Sequence, residues 1–430
     1  MKLRIFQSEK GDCLLLEGNA GGRMLCDGGM ASSMQSHVRS ELAKLRKQGQ
    51  MIDYVYVSHI DQDHISGVLR LLEDELLWRV YDHHQNSGQP SAKPKVPRPP
   101  QIGGIFHNAF RDQVDANLGK VTDMLATAAN IGLSSSQSRF VALGAEMQNI
   151  ALSVPEAIHV SHLASSRILG IPVNQLPGSS QPAKLLMVRA KQKSFPIGSM
   201  TFTIVGPTAD EIEMLRDGWN AYLADPENLT SLRKLKDKLE KSARDVGQTQ
   251  ISQSEWESYK GVTVPNIASL MFMVEENGKR LLLTGDSQQD IILKGLKQTG
   301  YLNDGSCHVD ALKVQHHGSE NNLDADFCRK VSADHYIFCG NGEHGNPDPR
   351  VIKTIYESRL GPSGARAVAP TAAGRSFTFW FSTTSNAQKP NSDEKESFAA
   401  TEKLVASLVS ASNGQMKAQF NQGISISLAL

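Results

Sequence analysis

Short apolar runs separated by glycine turns fill residues 1–30 and predict small strands. The period then lengthens. Ser33–Gln48 has helical spacing with a basic end, Tyr54-Val55-Tyr56-Val57 is a strand, and Ile65–Leu76 repeats Val68, Leu69, Leu71 and Leu72 at helical intervals. Trp78-Arg79-Val80-Tyr81 and Ile102–Phe106 predict two further strands. Between them Gln85–Gln101 contains Lys93-Pro94-Lys95-Val96-Pro97-Arg98-Pro99-Pro100, which opposes helix and sheet alike. It is a solvated excursion, with a basic lid over an acidic substrate as the alternative.

From Asp112 to Leu176 helical and small-residue stretches alternate, as in Val121–Ile131 and Val141–Leu152, over more length than a connection needs. This region is expected to be an inserted helical cap. Lys184–Arg189 and Met200–Val205 return to strand character, and Ala209–Ala224 and Leu229–Val246 predict helices. The latter carries Arg233, Lys234, Lys236, Lys238 and Lys241 with acids interleaved, the pattern of a solvated face rather than a nucleic-acid contact. Strands at Ser269–Val274, Arg280–Thr284, Ala311–Val314 and Tyr336–Cys339 then alternate with helices at Gln288–Lys297, Phe327–Val331 and Pro349–Ser358. Residues 383–397 are polar and expected to be mobile, before a helix at Thr401–Ser410 and a closing strand at Ile424–Leu430. The chain thus divides into a first half (1–110), an insertion with some strands returning to the core (111–260) and a second half (261–430), with no internal repeat.

Composition narrows the picture. An apolar share of 40% suffices for a core in 430 residues, and no uninterrupted apolar stretch approaches membrane-spanning length. Met1-Lys2-Leu3-Arg4-Ile5-Phe6 enters a strand pattern without the features of a secretory signal, so a cytoplasmic location is expected. Lysine plus arginine and aspartate plus glutamate balance at 45 each, so net charge makes no case for a polyanionic partner. Cys13, Cys26, Cys307, Cys328 and Cys339 form no C-x-x-C pair and are expected to be reduced and buried, with a ligand role for Cys26 disfavoured.

The chemistry concentrates in His59-Ile60-Asp61-Gln62-Asp63-His64, two imidazoles and two carboxylates directly after a strand. Donors bunched at a strand end suit divalent cations, with His59, Asp61, Asp63 and His64 as ligands. Leu281-Leu282-Leu283-Thr284-Gly285-Asp286 is a second strand running into a carboxylate, able to bridge two ions through Asp286. His316-His317-Gly318-Ser319 follows a third. On extended backbone adjacent side chains diverge, so one ligand is expected of the pair, His316, with His317 turned to the substrate or an acid and the order open to reversal.

These motifs, in this order and with Gly11-Asp12-Cys13 and Cys26-Asp27-Gly28-Gly29 before them, resemble the metallo-β-lactamase superfamily, whose loop reads H-x-H-x-D-H. Asp61 stands where that pattern has its second histidine, a variant similar to the metallohydrolase domain of ComEC-type DNA-uptake proteins and their soluble relatives. The likeness touches residues 1–110 and 262–360. It implies a four-layer αββα sandwich with the site at one edge and two divalent ions, zinc or manganese, as cofactors. It also implies that Asp27 orients a loop histidine, a turn cap being the alternative. A further histidine is implied between the loop and Asp286. His107, ending a strand before Asn108, is preferred to His83, His84, His159 and His162. His344, in Gly340-Asn341-Gly342-Glu343-His344-Gly345-Asn346-Pro347, is a candidate acid or phosphate contact. Asn266, Asn108, His317 and Ser319 are candidate substrate or supporting contacts.

Asp61 makes the site more oxygen-rich and shifts preference towards harder ions. The expected function is hydrolysis of phosphodiesters, DNA or RNA included, by a hydroxide generated at the ions and oriented by Asp63. The alternatives are a small-molecule hydrolase (cyclic nucleotide, phosphonate ester or lactone) and a metal-containing subunit active only with a partner protein.

Overall fold

The computed structural model describes residues 1–108, 156–214, 217, 268–302 and 304–430. Two sheets form its centre. The first has six strands: β1 (Lys2–Phe6), β2 (Leu14–Glu17), β3 (Arg23–Cys26), β4 (Ile52–Val57), β5 (Ile102–His107) and β14 (Ser425–Ala429), in the order β14-β1-β2-β3-β4-β5. The second has eight. They are β6 (Phe195–Ile197), β7 (Met200–Gly206), β8 (Met271–Glu276), β9 (Lys279–Leu283), β10 (Cys307–Lys313), β11 (Val331–Phe338), β12 (Phe377–Phe381) and β13 (Met416–Phe420), in reverse sequence order.

Alternation along the strands separates two apolar surfaces. Leu3, Ile5, Leu14, Leu16 and Tyr56 meet Phe202, Phe272, Leu281 and Ile337 between the sheets. The outer face of the first sheet is covered by α1 (Arg39–Lys47), α2 (Gln62–Asn86) and α3 (156–164). The outer face of the second carries α4 (Gln289–Gln298), α5 (Ala325–Lys330), α6 (Pro349–Leu360) and α7 (Asp393–Ala411). This is the expected αββα sandwich. Strands β3, β4 and β5 run parallel, as do β9, β10, β11 and β12. Their carboxyl ends therefore gather the loops at one edge, the usual place for a ligand in such sheets.

Several elements differ from expectation. Trp78–Tyr81 is not a strand but the continuation of α2, which runs unbroken to Asn86. The Glu75–Arg79 pair (3.2 Å) and the Trp78 indole donating to Val96 O (3.0 Å) hold it helical, so tertiary contact overrides β propensity. Two of the basic residues of the proline-rich loop are engaged on that helix: Lys93 and Arg98 lie over Trp78, and Arg98 pairs with Asp82 at 2.7 Å. These contacts favour the excursion over a lid. Lys184–Arg189 joins no ladder, although Val188 N–H donates to Pro207 O. Residues 393–397, expected mobile, are the first turn of α7, where the Ser392 side chain accepts from Lys395 N–H and three acids face the helix N-terminus. Strands β12 and β13 lie where the sequence pattern predicts no element; both carry aromatics packed beneath α7.

The described part of the expected insertion is built into the sandwich. Helix α3 packs on the first sheet, and β6 and β7 form an edge of the second. Val121–Ile131, Val141–Leu152, Leu229–Val246 and Asn266 lie outside the described residues. Among those described, no helix is long and apolar enough to cross a membrane.

Candidate metal centre

Two loops at the carboxyl edge turn four histidines towards one carboxylate oxygen. Nε2 of His64 and of His317 each lies 3.3 Å from Asp286 Oδ2, that of His59 at 3.7 Å and that of His316 at 3.9 Å. Asp63 Oδ2 is 3.1 Å from His317 Nε2, and Asp61 Oδ2 is 3.4 Å from His59 Nε2.

The opposite ring nitrogens are occupied. Asp27 Oδ2 takes His64 Nδ1 at 3.0 Å and also accepts the Ser58 hydroxyl, while Asp27 Oδ1 accepts Ser58 N–H. Ser58 Oγ meets His59 Nδ1 at 3.0 Å, Asn322 Oδ1 meets His316 Nδ1 at 2.7 Å, and Asp12 Oδ1 meets His317 Nδ1 at 3.1 Å. A partner on Nδ1 fixes the ring and leaves Nε2 free, the arrangement found around bound metals. His59 Nε2, His64 Nε2 and Asp61 Oδ1 are buried without a hydrogen-bond partner. One oxygen or nitrogen from each of Asp12, His64, Asp286 and His317 lies within 4.8 Å of the others. Stranded buried imidazole and carboxylate atoms aimed at a common point fit a divalent cation.

The adjacent pair corrects an expectation. His316 and His317 are not extended but both left-handed (φ 47° and 54°), so the two rings do not diverge. Both face Asp286, and His317 is the more buried and nearer. Ser319 closes the turn through its N–H to His316 O.

His107, at the end of β5 beside Val57 of β4, has both ring nitrogens buried and unpartnered, and burial lowers its pKa to about 4. A neutral, unpartnered imidazole is what a ligand position requires. Asn108 is drawn elsewhere: its amide clamps the backbone of Leu186 in both directions. His83 and His84 lie in the last turn of α2. His159 and His162 belong to α3. Cys26 lies in the core between the sheets, where burial pushes its thiol well up, away from a ligand's thiolate.

Two groups have roles that the sequence does not assign: Asp12, there only part of a motif, and Lys313. Lys313, 2% exposed at the end of β10, pairs with Asp12 Oδ2 and reaches Asp286 Oδ1 at 3.4 Å and Gly285 O at 3.2 Å. It therefore holds the Asp286 oxygen that faces away from the imidazoles. A lysine inside the apolar run Ala311-Leu312-Lys313-Val314 was the available signal.

Burial opposes charge at every one of these groups, and neighbours outweigh it. Asp286 is held well below the carboxylate range because the charges of His64, His317 and Lys313 overcome desolvation. Asp63 is lowered by His64 and His317 against the same penalty. His64 and His317 are pushed well above the usual imidazole value of 6.5: burial lowers them, but the surrounding aspartates raise them further. A raised folded pKa contributes stability that is complete below 6.5 and lost as pH rises through the folded value. The metal-free protein should therefore melt at progressively lower temperature as the pH is raised through that window. Saturating zinc or manganese should abolish the decline, which melts across a pH series would read.

Glycine makes the loops meet. A Cβ on Gly11 would overlap the carbonyl oxygen of Asp63, and one on Gly28 would overlap the backbone nitrogen of Val68 in α2. Gly28 N–H donates to His64 O (2.8 Å) and Asp12 N–H to Asp63 O (3.3 Å). Gly11→Ala should displace the Asp63 loop, costing about 1–3 kcal/mol by overpacking. Denaturant melts paired with metal titration should show both losses.

Residues 9–75 match the sequence profile of the Metallo-beta-lactamase superfamily. No curated protein gives a match. Among solved structures the chain is similar to a Cronobacter sakazakii metallo-beta-lactamase with a HARLDQ motif, at 12% identity over 93% of this chain and 90% of that one, TM-score 0.24. It is also similar to Zn(2+)-bound PqqB from Methylobacterium extorquens, at 11% identity over the whole of both chains, TM-score 0.31.

Proposed function

We propose that this chain, a metallo-β-lactamase superfamily protein by its residues 9–75 and its αββα sandwich, is a divalent-metal-dependent phosphodiesterase acting on nucleic acid, DNA or RNA. The observation that carries this reading is the set of four imidazole Nε2 atoms and Asp63 grouped about Asp286. Charge supports two ions. With neutral imidazoles, the buried Asp12, Asp27, Asp61, Asp63 and Asp286 against buried Lys313 leave four negative charges, which two divalent cations balance.

His59, Asp61, Asp63, His64, His107, Asp286, His316 and His317 are the residues that would hold the ions. Bound there, the ions supply polarisation of a phosphoryl oxygen and a water acidic enough to attack at neutral pH. Asp63, held ionised by His64 and His317 against its burial, would serve as a ligand and orient the attacking hydroxide by accepting its hydrogen bond. His344, half exposed beside Glu343, would contact a phosphate oxygen; burial lowers its pKa, which favours binding over proton donation. Asp61 in place of a histidine adds an oxygen donor to a set of imidazoles and carboxylates, which supports testing manganese beside zinc. The ComEC-like character of the His316–Ser319 segment supports a polynucleotide substrate.

The test strips the protein with a chelator and reloads it with zinc or manganese. It then assays bis(p-nitrophenyl) phosphate, single-stranded DNA, RNA and a cyclic nucleotide. Cleavage should require the ion, and Asp63→Ala should lower it by about a thousandfold with the fold intact. Undiminished cleavage by metal-free or Asp63→Ala protein would end the proposal.

A further inference from the structure

We infer that Lys10 is the residue that captures the anionic group of the substrate, and that Glu343 occupies it until substrate arrives. This rests on the phosphodiester reading and adds the group that recognises the phosphate. Lys10 lies in the turn between β1 and β2, which is seated on the metal loop. Its neighbour Gly11 abuts the Asp63 carbonyl, and Asp12 binds His317. On the other side, the segment after β11 leans on the same histidine. A Cβ at Gly340 would stand 3.3 Å from His317 Cβ, and a Cβ at Gly318 would stand 3.1 Å from Pro347 Cβ.

The two segments meet through one carboxylate oxygen. Glu343 Oε1 is 3.1 Å from Lys10 Nζ and 3.5 Å from His344 Nε2. The Glu343 backbone N–H is fixed on Asn341 Oδ1, and His344 is held at a left-handed φ of 56°, a strained conformation of the kind that concentrates at binding sites. The pair is nevertheless partly exposed, at 15% and 33% of side-chain surface. An ion pair open to water is worth little and exchanges readily. A carboxylate oxygen shared by an ammonium and an imidazole has the charge and acceptor geometry of a non-bridging phosphoryl oxygen. Displacing Glu343 would deliver Lys10 and His344 to the phosphate together, beside Asp63.

The experiment uses the full chain loaded with manganese. Inorganic phosphate is the binding probe, followed by calorimetry, and bis(p-nitrophenyl) phosphate is the substrate. Lys10→Met should weaken phosphate binding and raise KM by about tenfold. Glu343→Gln should tighten binding and lower KM by about threefold. Metal content by elemental analysis should match the unmodified protein in both variants. Equal phosphate affinity in all three proteins, or loss of metal in either variant, would overturn the inference. Should the unmodified protein cleave no phosphodiester while phosphate binding still shifts in opposite directions, the proposed function fails and the Lys10 site stands.

Discussion

Asp286→Ala is expected to leave a folded protein that retains neither ion, with kcat/KM on a phosphodiester reduced by about a thousandfold or more. The reason is geometric. Asp286 Oδ2 is the shared neighbour of four imidazole nitrogens that reach it from two different loops. Without it Asp63 is left as the anion near Nε2 atoms of both segments, 3.1 Å from His317 but 4.0 Å from His64, and the other two imidazoles lose their shared carboxylate. The Asp286 side chain also holds Lys313, so the effect combines lost ligation with an ammonium deprived of one partner. Elemental analysis of the purified variant checks the first half and steady-state kinetics the second. A variant that still carries its full metal complement would show that Asp286 is not the shared ligand.

Lys313→Met is expected to be the most destabilising single change in the centre, by about 3–5 kcal/mol in the metal-free protein, since it leaves buried carboxylates without their cation. Asp12 Oδ2 loses its closest partner, keeping only His64 Nδ1 at 3.8 Å, and Asp286 Oδ1 loses its close neighbour. Adding Asp12→Asn should recover part of the loss, because a neutral amide no longer demands a counter-charge. The double-mutant cycle in denaturant melts isolates that coupling. A loss below about 1 kcal/mol would mean that water, not Lys313, neutralises these groups.

Much of the sandwich was legible because its strands are short apolar runs ended by glycine or by a polar ligand. Ile52–Val57, Ile102–His107 and Lys279–Leu283 each close on a residue of the centre or its approach. The misses share a cause. Trp78–Tyr81 has the composition of a strand but lies under the proline-rich loop on a continuing helix, and local propensity cannot register that contact. Phe377–Phe381 and Met416–Phe420 pair with each other in parallel across a long separation, so neither carries a turn signal to announce it.

At the site the division is sharper. Sequence alone determined that His59, Asp61, Asp63 and His64 form one cluster, because their crowding after a strand leaves little conformational choice, and that Asp286 and the His316–His317 pair end strands of their own. Tertiary structure decided how these groups are used. It turned both histidines of the pair inward by placing them in left-handed backbone, which spacing cannot specify. It brought Asp12 and Asp27 behind the rings and set Lys313 against Asp286. Asp27–His64 and Lys313–Asp286 each join neighbouring parallel strands of one sheet, whereas Asp12–His317, 305 positions apart, exists because packing two sheets face to face brings distant segments to one edge.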